Sequence, residues 1–204
     1  MFIGKWNRSV VLTYIGLIVS ILGIYICFNN ENSINIAMTC LIIAGICDLF
    51  DGAIARKCKR TEEEKKFGIE LDSLVDAIDF IALPIAIFLK LQINAWYHFI
   101  IIAIFAICGI ARLAYFNITS ESDNNPVKYY TGLPVTYTAM IFPILNLLKY
   151  ITPVNIFNII FTIMIICVSM LNVLNIKIIK PKGVAYLIFS VLAIIMLVLY
   201  LGVL

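Results

Sequence analysis

The chain has 204 residues, 63% of them hydrophobic and 13% charged, with a mean hydropathy of +1.04 and a formal net charge of +3. Soluble domains run at about 45–50% apolar and about 25% charged, so this composition excludes an ordinary soluble globule and points to a polytopic membrane protein. Little chain remains outside the apolar stretches, so a single membrane domain over 1–204 is expected, with no nucleic-acid partner.

A membrane span takes about 20 apolar residues. Seven such segments follow one another at 10–28, 34–55, 67–91, 95–118, 132–148, 154–174 and 184–204, which predicts an all-α bundle of about seven transmembrane helices. The first follows Lys5 and Arg8, as the apolar part of a signal peptide would. It is too long for that role and reaches Cys27-Phe28-Asn29 without a small-x-small cleavage site, so it reads as a helix that stays. Cys27, Cys40, Cys47, Cys108 and Cys167 fall within spans and Cys58 in a basic loop; without metal-site spacing they read as reduced, small apolar residues.

Positive charge sorts along the chain. Lys5 and Arg8 precede the first span; Lys57, Lys59, Arg60, Lys65 and Lys66 join the second to the third. Lys128 lies between the fourth and fifth, and Lys177, Lys180 and Lys182 between the sixth and seventh, whereas the alternate connections hold only Lys90 and Lys149. The positive-inside rule therefore predicts a cell-membrane protein with a cytoplasmic N-terminus and a basic cytoplasmic face suited to anionic membrane lipids. Asn7-Arg8-Ser9 and Asn117-Ile118-Thr119 match the glycosylation pattern but fall on that face, where they carry no sugar. Trp6, Trp96, Tyr97 and His98 are expected at the membrane interface.

The loop 58–66 mixes basic residues with Glu62, Glu63 and Glu64 and reads as a solvated helix extension with i,i+4 pairs such as Glu62–Lys66. The loop 119–131 holds Glu121, Asp123, Asn124, Asn125 and Pro126, a turn-rich connection. Pro84, Pro143 and Pro153 mark kinks or helix starts.

Acidic groups in or beside a membrane are costly unless paired or bound to an ion, and they mark function by default. A helix turns about 100° per residue. Asp48, Asp51, Gly52 and Ala55 therefore share one face of the second span, and Gly68, Asp72, Asp76 and Asp79 one face of the third. Glu70 points elsewhere and reads as a rim residue. Two antiparallel helices joined by a short cytoplasmic loop would bring these faces together. Converging carboxylates need compensation, and hard divalent cations supply it; the lack of His or Cys argues against zinc. Gly52, Ala55 and Gly68 leave room for a bulky ligand, and Arg56 offers a fork to a phosphate. On charge and spacing alone an enzyme, a transporter and a structural charge pairing all stay open.

The pattern Asp48-x-x-Asp51-Gly52-x-x-Ala55-Arg56, eleven residues, then Gly68-x-x-x-Asp72-x-x-x-Asp76 resembles the signature of the CDP-alcohol phosphotransferases, with a slightly long spacer. Within that family, the stretch from Phe67 to Asp76 with its Asp72-Ser73-Leu74 is similar to the phosphatidylserine synthases. So are Arg112-Leu-Ala-Tyr115-Phe116-Asn117 and Thr131-Gly132-Leu133-Pro134. Departures are Tyr115 for a second arginine, Asp79 and Ile81 for a Ser and a Gly, and Val10 where an Asn is usual three residues before Thr13.

The resemblance implies transfer of the phosphatidyl group from CDP-diacylglycerol to L-serine, with release of CMP. Asp48, Asp51, Asp72 and Asp76 would hold one or two Mg²⁺ or Mn²⁺ ions on the diphosphate. Asp48, Asp51, Gly52, Ala55, Arg56, Gly68 and Asp72 would bind the CDP moiety, and Asp76 would take the serine hydroxyl proton. Arg112, Asn117 and Lys128 are the candidates for holding the acceptor, since a basic group should meet the serine carboxylate; for Arg112 the alternative is a helix-end residue satisfying Asp72 or Asp79. The family resemblance also implies a homodimer. Sibling enzymes acting on glycerol 3-phosphate or an inositol phosphate stay open, as does an ion-coupled transporter.

Overall fold

The computed structural model describes residues 4–5, 7–29, 33–93, 95–122, 129–179 and 183–203. Trp6 and Lys128 lie outside the described residues. Lipid offers no partner to backbone amides, so apolar segments satisfy theirs internally as helices. A 3₁₀ turn at Arg8–Val10 leads into α1 (Val11–Asn29), and α2 spans Ile34–Lys57. The third rod is compound: α3 (Glu62–Ala77), a π-helical turn at Ile78–Ala82, then α4 (Leu83–Lys90). Then come α5 (Trp96–Ser122), β1 (Tyr129–Thr131), α6 (Thr138–Asn146) between 3₁₀ turns at Val135–Tyr137 and Leu147–Tyr150, and α7 (Val154–Val173). The chain closes with β2 (Lys177–Ile179), α8 (Val184–Val198) and a π turn at Leu199–Val203.

The architecture is the expected all-α membrane bundle. Among the described residues, five helices are long and apolar enough to cross a membrane: Arg8–Asn29, Ile34–Lys57, Trp96–Thr119, Val154–Val173 and Ala185–Gly202. The other two expected segments are the broken rods built from α3 with α4 and from α6 with its flanking turns.

Local chemistry sets the boundaries that apolarity missed. α3 starts at Glu62, well before its apolar part, because Thr61 caps it. The Thr61 hydroxyl accepts from Glu64 N at 3.2 Å, and the Glu64 carboxylate accepts from Thr61 N at 2.7 Å. Glu62 pairs with Lys65 at 2.6 Å rather than with Lys66. Lys5 reaches Glu63 at 2.7 Å, and its ammonium holds the Glu63 carboxyl below its usual range. Asn7 Nδ2 donates to Lys59 O at 3.2 Å and to Glu64 Oε1 at 3.1 Å. These contacts tie the N-terminal segment across the α2–α3 loop.

Helices pack closely where residues are small. The buried stripe of α1 is Thr13, Gly16, Ser20, Gly23 and Cys27, and a Cβ on Gly23 would stand 2.9 Å from both Cys40 Cβ and Leu83 Cδ1. On the other side of the bundle, Phe88, Phe105, Phe142 and Phe161 lock α4, α5, α6 and α7 together, with Phe88 centroids 4.9 Å from Phe142 and 5.5 Å from Phe105. All six cysteines are free thiols, as expected. Trp96 is 80% exposed, whereas His98 turns inward. Its Nδ1 accepts from Ala95 N and its Nε2 meets Thr162 Oγ1, both at 3.2 Å, so it fastens the start of α5 to α7.

A two-stranded antiparallel ribbon pairs Tyr129 with Ile179 and Thr131 with Lys177. It joins two connections that the sequence leaves separate. Gly132 follows with φ +74°, its N donating to Ile176 O at 2.9 Å, and Leu133 N donates to Leu171 O at 2.8 Å. A Cβ on Gly132 would lie 2.5 Å from the Asn172 carbonyl oxygen. Gly132→Ala is therefore expected to cost about 1–3 kcal/mol, read as a lowered unfolding midpoint of the detergent-solubilised protein.

Candidate active site

The tied loop joins α2 to α3, α1 packs against both, and acidic side chains of the two joined helices meet. Asp48, Asp72 and Asp76 each present a carboxylate oxygen, and these oxygens all lie within 4.8 Å of one another. An all-oxygen set this tight, without His or Cys, suits a hard divalent cation: mutual repulsion in a low-dielectric interior is what such an ion relieves. Asp51 is buried beside them and is steadied by α1, since Thr13 Oγ1 donates to its Oδ2 at 3.2 Å.

Asp79 does not join the group, contrary to the shared face that regular α spacing predicts. The π turn begins at Ile78, directly after α3, and breaks that register. Asp79 is 3% exposed and faces α1, where a Cβ on Gly16 would stand 3.1 Å from its Oδ2. The glycine makes the space the carboxyl occupies.

A cavity of about 210 Å³ opens beside the carboxylates. Asp51, Gly52, Ala55 and Arg56 from α2 line it with Gly68 and Asp72 from α3, so all of the expected nucleotide-binding residues except Asp48 share one wall system. The sequence reading missed the other walls: Ser9, Val10 and Thr13 at the start of α1, and Arg60 in the loop. Val10 and Thr13 stand in the first-span pattern noted above, which assigned them no role, and Ser9 and Arg60 carry no mark in their spacing; the fold brings all four to the cavity. Glu70 is exposed, as a rim residue should be.

A second cavity, of about 300 Å³, is lined by Arg112 and Tyr115 of α5, Thr131 of β1, and Asn172 and Asn175 at the end of α7. Arg112 is 7% exposed, with its guanidinium carbon 4.9 Å from the Phe116 ring centre and 5.9 Å from that of Tyr130. Among the described residues it makes no ion pair, and its Nε has no partner, so it does not satisfy Asp72 or Asp79 as a helix-end residue would. Thr131 brings the end of the ribbon to this cavity. Asn117 is elsewhere: its Oδ1 accepts from Ser73 Oγ at 2.8 Å, which couples α5 to α3. A third, apolar cavity of about 240 Å³ runs between α2, α6 and α8 past Ile42, Leu49, Met140 and Phe189, and reaches Asp48.

A family model described as CDP-alcohol phosphatidyltransferase matches residues 6–202. The chain belongs to this family. It is 37% identical over 103 residues to a CDP-diacylglycerol–serine O-phosphatidyltransferase of Saccharomyces cerevisiae, covering 48% of this chain and 36% of that protein. A protein of the same name from Helicobacter pylori is 34% identical over 116 residues, and an archaetidylserine synthase of Methanothermobacter thermautotrophicus is 32% identical over 111 residues. Each of these two matches covers 54% of this chain and 46% of the relative. The matched stretches thus span less than half the length of the relatives. No solved structure matches the chain.

The Ser73–Asn117 contact gives a test of the α3–α5 coupling. Ser73→Ala and Asn117→Ala should each lower stability by about 1 kcal/mol. The double variant should lose no more than one of them, a coupling that denaturation midpoints of the four proteins measure.

Proposed function

We propose that this chain transfers the phosphatidyl group of CDP-diacylglycerol to L-serine, giving phosphatidylserine and CMP, at the cytoplasmic face of the membrane. The observation that carries this reading is that two cavities of opposite character end on one carboxylate cluster. The apolar cavity reaches Asp48, and the cavity with Arg56 reaches Asp72. A lipid chain suits the first and a nucleotide the second, so the reacting phosphorus of a CDP-linked lipid would sit between them.

Asp48, Asp72 and Asp76, with Asp51 beside them, would hold one or two Mg²⁺ or Mn²⁺ ions. Bound there, the metal supplies charge neutralisation on the diphosphate and on the departing CMP. The protein's own groups orient the rest. Gly52, Ala55, Arg56 and Gly68 seat the CDP moiety. Asp76 accepts the proton of the serine hydroxyl, whose oxygen bonds to the lipid-linked phosphorus. The bond from that phosphorus to the bridging oxygen breaks, and CMP leaves with the electron pair. Arg112 meets the serine carboxylate in its own cavity. As the one cation lining that cavity among the described residues, it suits a single carboxylate better than the dianionic phosphate of glycerol 3-phosphate. Asn117, engaged by Ser73, supports α5 rather than the acceptor.

Purified protein given CDP-diacylglycerol, Mg²⁺ or Mn²⁺ and a panel of alcohols should release CMP when serine is present and stop when the metal is chelated. Asp76→Asn should lower kcat by about 100-fold or more. CMP release with glycerol 3-phosphate or an inositol phosphate but not serine would reassign the acceptor. Substrate-driven ion flux in proteoliposomes without CMP release would make the chain a transporter. Separately, Arg112→Gln should raise KM for serine by roughly 10- to 100-fold with a much smaller change in KM for the lipid donor; equal changes in both would remove Arg112 from the acceptor cavity.

A further inference from the structure

Arg60 belongs to no part of the family signature quoted above, and its charge reads in the sequence as one of a solvated run. The structure puts it to a different use. It lines the nucleotide cavity, and its Nη1 stands 3.7 Å from where a Cβ on Gly68 would be, as the Arg56 Nη1 stands 3.5 Å from one on Gly52. Two guanidinium groups thus close over two glycines of facing elements.

The backbone on both sides of Arg60 is fixed. Asn7 holds Lys59 O at 3.2 Å, and Thr61 is locked into the capping box of α3. The side chain is half-buried, and among the described residues the ion pairs are Lys5–Glu63 and Lys65–Glu62, so no carboxylate pairs with it. Ser9 lines the same cavity, and its buried hydroxyl has no hydrogen-bond partner. A pre-positioned guanidinium without a carboxylate, in a cavity where the Ser9 hydroxyl is also unsatisfied, is available to acceptor atoms of a ligand.

Position along α2 says which part of the ligand. At 1.5 Å rise per residue, Ala55 lies about 10 Å along the helix from Asp48, toward the loop. The carboxylate cluster takes the diphosphate end, so Arg60 faces the nucleoside end. Resting on the donor reading above, we propose that Arg60, with Ser9 of the same cavity, recognises the nucleoside part of the CDP-linked donor and that it is a binding residue the signature does not contain.

Equilibrium binding of free CDP and of inorganic pyrophosphate, in the presence of Mg²⁺, to the detergent-solubilised full chain tests this. Arg60→Gln should weaken CDP binding roughly 10-fold or more and leave pyrophosphate binding within about two-fold, with the unfolding midpoint unchanged. Arg60→Lys keeps the charge and the stem but loses the fork. It should also weaken CDP, which guards against a folding defect in the Gln variant. CDP affinity unchanged in both variants overturns the proposal, as does an equal loss for CDP and pyrophosphate, which would put Arg60 on the diphosphate. A wild-type chain that binds pyrophosphate but not CDP would overturn the donor reading itself, an outcome distinct from a failure at Arg60.

Discussion

Three aspartate oxygens within 4.8 Å of one another, inside an apolar bundle, form an arrangement that repels itself. Much of the surrounding structure can be understood as what holds that arrangement in place. α2 and α3 are the rods that carry the charges. The capped, doubly tied loop between them fixes their relative height, so Asp48 of one meets Asp72 and Asp76 of the other. α1 presses on the outside with Thr13 donating to Asp51, and α5 is latched to α3 through Asn117 and Ser73.

Small residues do a second job around that centre. In a bundle without a strong hydrophobic drive between helices, glycine and alanine let backbones approach. Here they also set where the empty space lies. Gly52 and Gly68 open onto a cavity whose guanidinium groups lie across them, whereas Gly16 leaves a space that Asp79 fills and Gly23 leaves none, since Cys40 and Leu83 close over it. The same residue type serves cavity formation, carboxylate accommodation and plain packing.

The all-helical class, the positions of the rods and the α2–α3 constellation were legible in the sequence because each depends on a local period. Apolar runs, charge between them, and carboxylates at helical spacing are readable without knowing what packs where. Three kinds of information were not. The π turn after Ala77 shifts Asp79 onto α1, and no propensity in Ile78-Asp79-Phe80 announces it. Ser9, Val10, Thr13 and Arg60 enter the cavity beside the carboxylates only through the fold, so the run around Arg60 looked like ordinary solvated charge. Asn117 and Arg112 lie on the same helix, but only the fold shows that one accepts a hydrogen bond from Ser73 and the other lines a cavity. His98 shows the same limit: its place in the chain marks the interface, while its inward turn toward Thr162 depends on where α7 lies.

The β1–β2 ribbon carries a consequence for how the molecule is made. Its strands flank α6 and α7, so it closes only after α7 has emerged from the ribosome. The carboxylates of α2 and α3, by contrast, are all synthesised within the first 76 residues. Chains that emerge N-terminus first therefore assemble the acidic centre early and the Arg112 cavity late. A nascent chain passes through a stage in which the charged half of the site exists without the Arg112 cavity, and an ion bound at that stage would shield the newly inserted aspartates while the rest of the bundle arrives.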